Sequence, residues 1–208
     1  MVVLAIMVVI STVILSSQSS FNRTLMLANT AYDIALTVRS AQTYGLSSRA
    51  VGTTANAGYG LDFQKASPTY FTLFADSYPA PSTSSVCHPT TDASAPDALS
   101  GDCAYSGASE KIMDYRLGNN VVISDFCAFS SGSWTCAVAN NGGLNSLDIV
   151  FARPNPDAFI SANGVYSTLF PITKMCLAIT SPQRDTWRYI TVTASGQITA
   201  NASSCPLP

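Results

Sequence analysis

The chain has 208 residues, 47% of them apolar and only 11% charged, so it is long enough for one packed core yet carries less than half the ~25% charge of an average soluble domain. A net charge of −2 with no basic block excludes the electrostatic footprint of a nucleic-acid binder, and no nucleic acid is expected as a partner. Its six cysteines, Cys87, Cys103, Cys127, Cys136, Cys176 and Cys205, contain no C-x-x-C pair, which argues against zinc-ribbon and thioredoxin-type sites and for disulfides in an oxidising compartment.

Residues 1–15, MVVLAIMVVISTVIL, are apolar on every helical face, and no charge appears before Arg23. The run resembles a membrane segment but falls short of the ~20 residues a span needs. It also lacks the basic leader and cleavage site of a signal peptide, so further residues are expected ahead of Met1. From residue 16 the pattern turns amphipathic. Phe21, Leu25, Ala28, Tyr32, Ala35, Val38 and Gln42 recur at steps of three or four, which is one face of an α-helix. No Gly or Pro interrupts before Gly45, a C-terminal stop signal with Ser47 and Ser48 behind it. The expectation is one helix over residues 1–49, about 65–70 Å long. Within it, residues 1–15 would serve as a membrane or filament-core segment, and residues 16–49 as a stem.

Residues 50–208 read as a β-rich head. Strands are expected at 59–63 and 69–74 around Ser67-Pro68, then at 111–117, 121–129, 133–138, 147–151, 172–179, 187–192 and 197–200, separated by turn signals such as Asn140-Asn141-Gly142-Gly143. Residues 76–109, rich in Ser, Pro, Thr, Asp and Ala, show no periodicity and read as a long surface loop. Six cysteines allow 15 pairings. The near-neighbour choice joins Cys87 to Cys103, Cys127 to Cys136 and Cys176 to Cys205, and the first of these would stabilise its loop by roughly 3 kcal/mol. The fold class expected is α+β: a long N-terminal helix laid across one face of a mostly antiparallel sheet, each burying the other's apolar side.

Catalytic signals are sparse. His88 is the only histidine; it follows Cys87 directly, whereas a Cys-His nucleophile needs the two to face one another, so it is expected to be an exposed loop residue. No G-x-S-x-G, P-loop or dinucleotide fingerprint occurs. Asp92, Asp97, Asp102 and Asp148 leave a calcium ion on loop oxygens open. Otherwise no cofactor, no metal and no enzyme activity is expected. Trp134 and Trp187 read as strand packing before recognition.

The start, Met1-Val2-Val3-Leu4-Ala5-Ile6, resembles the N-terminal segment of type IV pilins and type II secretion pseudopilins. The family's cleavage-site glycine, methylated aromatic and glutamate are not in this chain. Residues 32–49, YDIALTVRSAQTYGLSSR, are similar to the stem of the minor branch typified by pseudopilin H. Residues 147–154, LDIVFARP, look like its middle strand, and residues 187–199, WRYITVTASGQIT, like its closing hairpin. The likeness is good over the first fifty residues and patchy after them. It implies the type IV pilin-like fold and a structural role, as a minor pilin or pseudopilin of a type IV pilus or type II secretion-like filament. Implied partners are other pilin subunits, the inner membrane before assembly, a prepilin peptidase and an assembly platform. The implied location is the bacterial inner membrane, then a cell-surface or periplasmic filament. Val2, Val3, Leu4, Ile6, Val9, Ile10 and Ile14 would carry assembly, and Phe21, Leu25, Tyr32, Ala35 and Val38 would hold stem to head. Some members of that branch bind DNA through arginines after the closing glycine; here Gly196-Gln197-Ile198-Thr199 carries no base. The competing expectation is a single-pass, membrane-anchored binding or adhesion domain that never polymerises.

Overall fold

The computed structural model describes residues 2–47, 50, 56–85, 87–88, 91–95, 97–140, 142–183, 186–202 and 205, with the backbone alone for 4–5, 13–20 and 201–202. Among the described residues one helix, α1 (Val2–Leu46), leads into ten strands: β1 (Gly58–Gln64), β2 (Tyr70–Asp76), β3 (Lys111–Arg116), β4 (Val122–Ser130), β5 (Ser133–Cys136), β6 (Ser146–Phe151), β7 (Ala158–Ala162), β8 (Ile172–Thr180), β9 (Trp187–Thr193) and β10 (Ile198–Ala202). They form two five-stranded sheets, ordered β3-β2-β1-β6-β7 and β10-β9-β8-β4-β5. Each neighbouring pair in both sheets is antiparallel.

This corrects the expected fold class. The molecule is mostly antiparallel β, two sheets rather than one sheet under a helix, and it does not have the pilin-like fold. The physical reason lies in the burial of the central strands. In β1, Tyr59, Leu61 and Phe63 point into the main core, as do Leu147, Ile149 and Phe151 of β6. That core is shared with Phe126 of β4, Leu177 and Ile179 of β8, and Ile190 and Val192 of β9. The two sheets therefore bury much of each other's apolar surface, and the helix supplies one wall rather than the whole cover. The opposite face of β1, β2 and β6 is buried too, so these strands are covered on both sides. Its cover is the segment 77–110, which contributes buried Ala98, Ser100, Cys103 and Ala104. Among the described residues no helix or strand lies between β2 and β3, and Asp76 and Glu110 tie that segment down, as described below.

The helix docks through Leu27, Ala31, Ile34, Val38 and Ala41, each no more than 1% exposed. Gln42 Nε2 donates to the carbonyls of Pro156 (3.0 Å) and Gly196 (3.2 Å). Gly45 does not stop the helix, which runs one residue past it. A Cβ there would collide with the backbone carbonyl of Phe151, so glycine lets the last turn lie directly against β6. Gly45→Ala is expected to push the helix end off the sheet and cost about 2–3 kcal/mol, the usual size of an overpacking penalty. Thermal denaturation checks it.

Candidate functional site

Two features of the chain ask for a function: an uncovered apolar helix surface, and a polar layer sealed beneath segment 77–110.

The helix leaves the head near Asn22, so that about 30 Å of it projects beyond the sheets at 1.5 Å per residue. Of the residues expected to mediate assembly, Val2 (73% exposed), Val3, Ile6, Val9 and Ile10 are exposed, together with Met7 and Val8. The side chains of Leu4 and Ile14 lie outside the described residues. The residues expected to hold stem to head are partly corrected. Val38 is buried and Ala35 half-buried, but Phe21 (62% exposed) and Tyr32 are exposed, and Leu25, 46% exposed, lines a groove with Phe71, Tyr115 and Leu117. The docking stripe is rotated to Leu27, Ala31, Ile34, Val38 and Ala41. Two apolar stripes at helical spacing share this helix, and periodicity alone does not say which one meets the head. The second stripe, Phe21, Leu25, Tyr32 and Leu36, is thereby left in the open.

No helix among the described residues is long and apolar enough to cross a membrane. The inner-membrane placement before assembly is corrected on this finding. Ser16-Ser17-Gln18-Ser19-Ser20 ends the apolar run on its C-terminal side.

The polar layer lies on the second face of β1, β2, β6 and β7. Asp62 and Asp148 are direct cross-strand partners, 2% and 1% exposed. One oxygen of Asp62 accepts from Gln64 Nε2 at 2.9 Å, and Asp148 accepts from the Tyr105 backbone N–H. The Oδ1 atom of each has no donor. Two buried carboxylate oxygens facing each other cannot both stay charged; a shared proton satisfies both. Burial pushes Asp62 up to about 6 against the hydrogen bonds from Asp148 and Gln64. Burial first, then the charge of Asp62, raises Asp148 well above the carboxylate range. Asp148 is the acid of the pair and donates to Asp62.

Three further buried carboxylates organise backbone. Asp76 accepts the N–H groups of Asp102 (3.0 Å) and Cys103 (2.8 Å). Glu110 accepts those of Ser77 (2.9 Å), Tyr78 (2.8 Å) and Ser106 (2.7 Å). Burial raises both acids, and the hydrogen bonds they accept oppose it. Asp125 accepts four N–H groups, from Phe126, Ala137 and Val138 on Oδ1 and from Ala139 on Oδ2. A segment without periodicity is thus fixed by carboxylates that replace a regular hydrogen-bond ladder.

The disulfides are Cys87–Cys103, Cys127–Cys136 and Cys176–Cys205. His88 is corrected from an exposed loop residue to a buried one, 5% exposed. Its Nε2 lies 3.6 Å from Cys103 Sγ and 3.8 Å from Asp76 Oδ2, and its ring stands edge-on to Phe159 at 5.0 Å. The adjacent pair Cys87-His88 does meet across a site, because the chain folds back through Cys103. Among the described residues, the clusters with ligand-like spacing are Asp76, Cys87, His88 and Cys103, and Asp125, Cys127 and Cys136. Their cysteines are tied up as disulfides, which lack the thiolate a soft metal needs. The aspartates weighed for calcium, Asp92, Asp97, Asp102 and Asp148, do not gather in either cluster. Trp134 packs on Phe129 at 5.1 Å; Trp187 is 42% exposed.

Sequence reasoning missed Asp62, Asp76, Glu110 and Asp125. In β1, β2 and β6 the acids alternate with core residues, the pattern of a solvent face. The signal against that reading is Phe74 and Val150, apolar residues on the same face, which form a second small core with Cys87 and Cys103. No protein-family model matches the chain, and neither does any curated protein or solved structure.

Proposed function

We propose that this chain is a structural subunit that joins other subunits in a filament through its projecting helix, the role that pilins and pseudopilins fill. The observation that carries the reading is the uncovered apolar helix: Val2, Val3, Ile6, Met7, Val8, Val9 and Ile10 at the tip and, past the Ser16-Ser17-Gln18-Ser19-Ser20 run, a second set, Phe21, Leu25, Tyr32 and Leu36. Contiguous apolar surface of this kind marks an interaction site. The likeness of the first fifty residues to pilin stems supports the same role, and three disulfides suit a head that works in an oxidising, extracellular setting.

The energetics favour many neighbours over one. Fully burying a Val, Ile or Met side chain contributes about 1.5–3 kcal/mol. Covering about half of the tip would contribute roughly 5–10 kcal/mol. Association costs about 4–15 kcal/mol in lost freedom, so a single helix pair is marginal. A stack in which each helix touches several others buries every face of the tip, and a rotation that does not close makes it a fibre.

The test is sedimentation of the full chain against an Ile6→Asp/Val9→Asp variant. The wild type is expected to form large assemblies at micromolar concentration. The variant is expected to stay monomeric with the head's unfolding temperature unchanged, because these side chains are exposed and outside the head's core cluster. A wild type that stays monomeric throughout, or a variant that assembles equally well, would overturn the reading in favour of a domain that does not polymerise.

A further inference from the structure

The three disulfides do not share one environment. Cys87 lines two cavities, one of about 520 Å³ with His88, Asp97, Ala98, Leu99, Arg153 and Phe159, the other of about 410 Å³ with Pro79, Gly101, Asp102 and Tyr166. Cys103 lines neither of them and sits 3.6 Å from His88 Nε2. Cys87 is 4% exposed and Cys103 fully buried, so Cys87 is the half of the bridge nearer an incoming group, and Cys103 is held against an acid–base side chain. Asp76, which accepts the Cys103 N–H, approaches the same ring nitrogen, with its Oδ2 3.8 Å from Nε2, and the ring stands edge-on to Phe159. The other bridges have no such partner, because His88 is the only histidine. Cys127 and Cys136 are 1% and 0% exposed and line neither of these cavities.

We propose that Cys87–Cys103 is an exchange-active disulfide, attacked at Cys87 by the thiolate of an external dithiol, with Cys103 as leaving group. The incoming sulfur bonds to Cys87 Sγ. The Cys87–Cys103 bond breaks, and its electron pair goes to Cys103 Sγ, where protonated His88 balances the new thiolate or gives it its proton. The second thiol of the reagent then displaces Cys87, leaving two cysteine thiols in the protein and a disulfide in the reagent. Exchange runs faster when the leaving thiolate is stabilised, and a neighbouring imidazolium does that. Asp76 acts as a positioning residue: it accepts the Cys103 N–H and lies 3.8 Å from His88 Nε2, so it fixes the imidazole and Cys103 relative to one another.

The experiment is graded treatment of the folded, full-length protein with dithiothreitol at pH 7, acid quench, and differential alkylation read by peptide mass spectrometry. Cys87–Cys103 is expected to open first, at least about tenfold faster than the other two bridges. With glutathione, a monothiol, the trapped adduct is expected on Cys87. His88→Gln is expected to slow opening by about tenfold at pH 7 and to remove the imidazole inflection from the rate–pH profile. Opening together with or after the other bridges, or an adduct on Cys103, would overturn the proposal, and both readouts use the wild type alone. A folded His88→Gln variant with wild-type rate and pH profile would overturn the role assigned to the imidazole.

Discussion

Raising the pH from 5 to 9 is expected to destabilise the folded head, and Asp148→Asn is expected to remove much of that loss. The two aspartates are buried cross-strand partners, and the Oδ1 atom of each has no donor from the rest of the protein. Around them lie Gln64, the Tyr105 N–H and, further off, the charge of Asp76. Folding raises both acids above their unfolded values, Asp62 to about 6 and Asp148 well beyond the usual range. A raised folded pKa gives stability that is complete below the unfolded value near 4 and is lost as pH rises through the folded value. For Asp62 alone a rise of about two units corresponds to roughly 3 kcal/mol. Asp76 and Glu110 are raised by burial as well, and they add to the loss in the same direction. The substituted asparagine can donate its amide hydrogen where the protonated acid did, and it carries no charge at any pH. The variant is therefore expected to be more stable than the wild type at pH 9 and close to it at pH 5. Urea denaturation at the two pH values checks this. A wild type whose stability rises between pH 5 and 9 would show that the pair does not hold a proton.

Asp125→Ala is expected to cost more than any surface change, about 3–5 kcal/mol. The side chain is buried where the β4 register shifts between Ile123 and Asp125. It satisfies four N–H groups at once: its neighbour Phe126, and Ala137, Val138 and Ala139 in the turn after β5. Alanine takes the carboxylate acceptor from all four donors beside the Cys127–Cys136 bridge, and the Ala137 N–H keeps the Phe126 carbonyl at 2.9 Å. Asp125→Asn should fall between, because an amide offers one accepting oxygen and turns its NH₂ toward the remaining donors. At about 2–4 °C per kcal/mol for a chain of this size, the alanine variant should melt roughly 6–20 °C lower, measured by calorimetry with the disulfides intact.

Much of this structure can be read in the sequence, and the limits have physical causes. The helix follows from an unbroken run without Gly or Pro before Gly45, and most strands follow from β-branched and aromatic runs between turn signals. β7 escapes notice because Ala158-Phe159-Ile160-Ser161-Ala162 is short and weakly patterned. The division into two sheets is not legible, because strand order depends on contacts far apart in the chain. Burial of the acidic face is hidden by alternation, which describes a solvent face and a face under a loop equally well. The rotation of the helix is hidden by its two apolar stripes. His88 reads as exposed because its neighbours in sequence are polar, whereas its neighbours in space are Cys103, Asp76 and Phe159.

The central claim is that the projecting helix packs against the helices of other copies, and a photo-crosslinker in place of Val9 tests it most directly. Assemblies are formed from a mixture of isotopically labelled and unlabelled full-length chains, irradiated, digested, and sorted by whether a crosslinked peptide pair is mixed in isotope. The account predicts mixed-isotope crosslinks from position 9 to the helix of another copy, within residues 2–10 or along Phe21, Leu25, Tyr32 and Leu36. Crosslinks confined to single-isotope pairs, or running only to the β-sheets of the same chain, would contradict it.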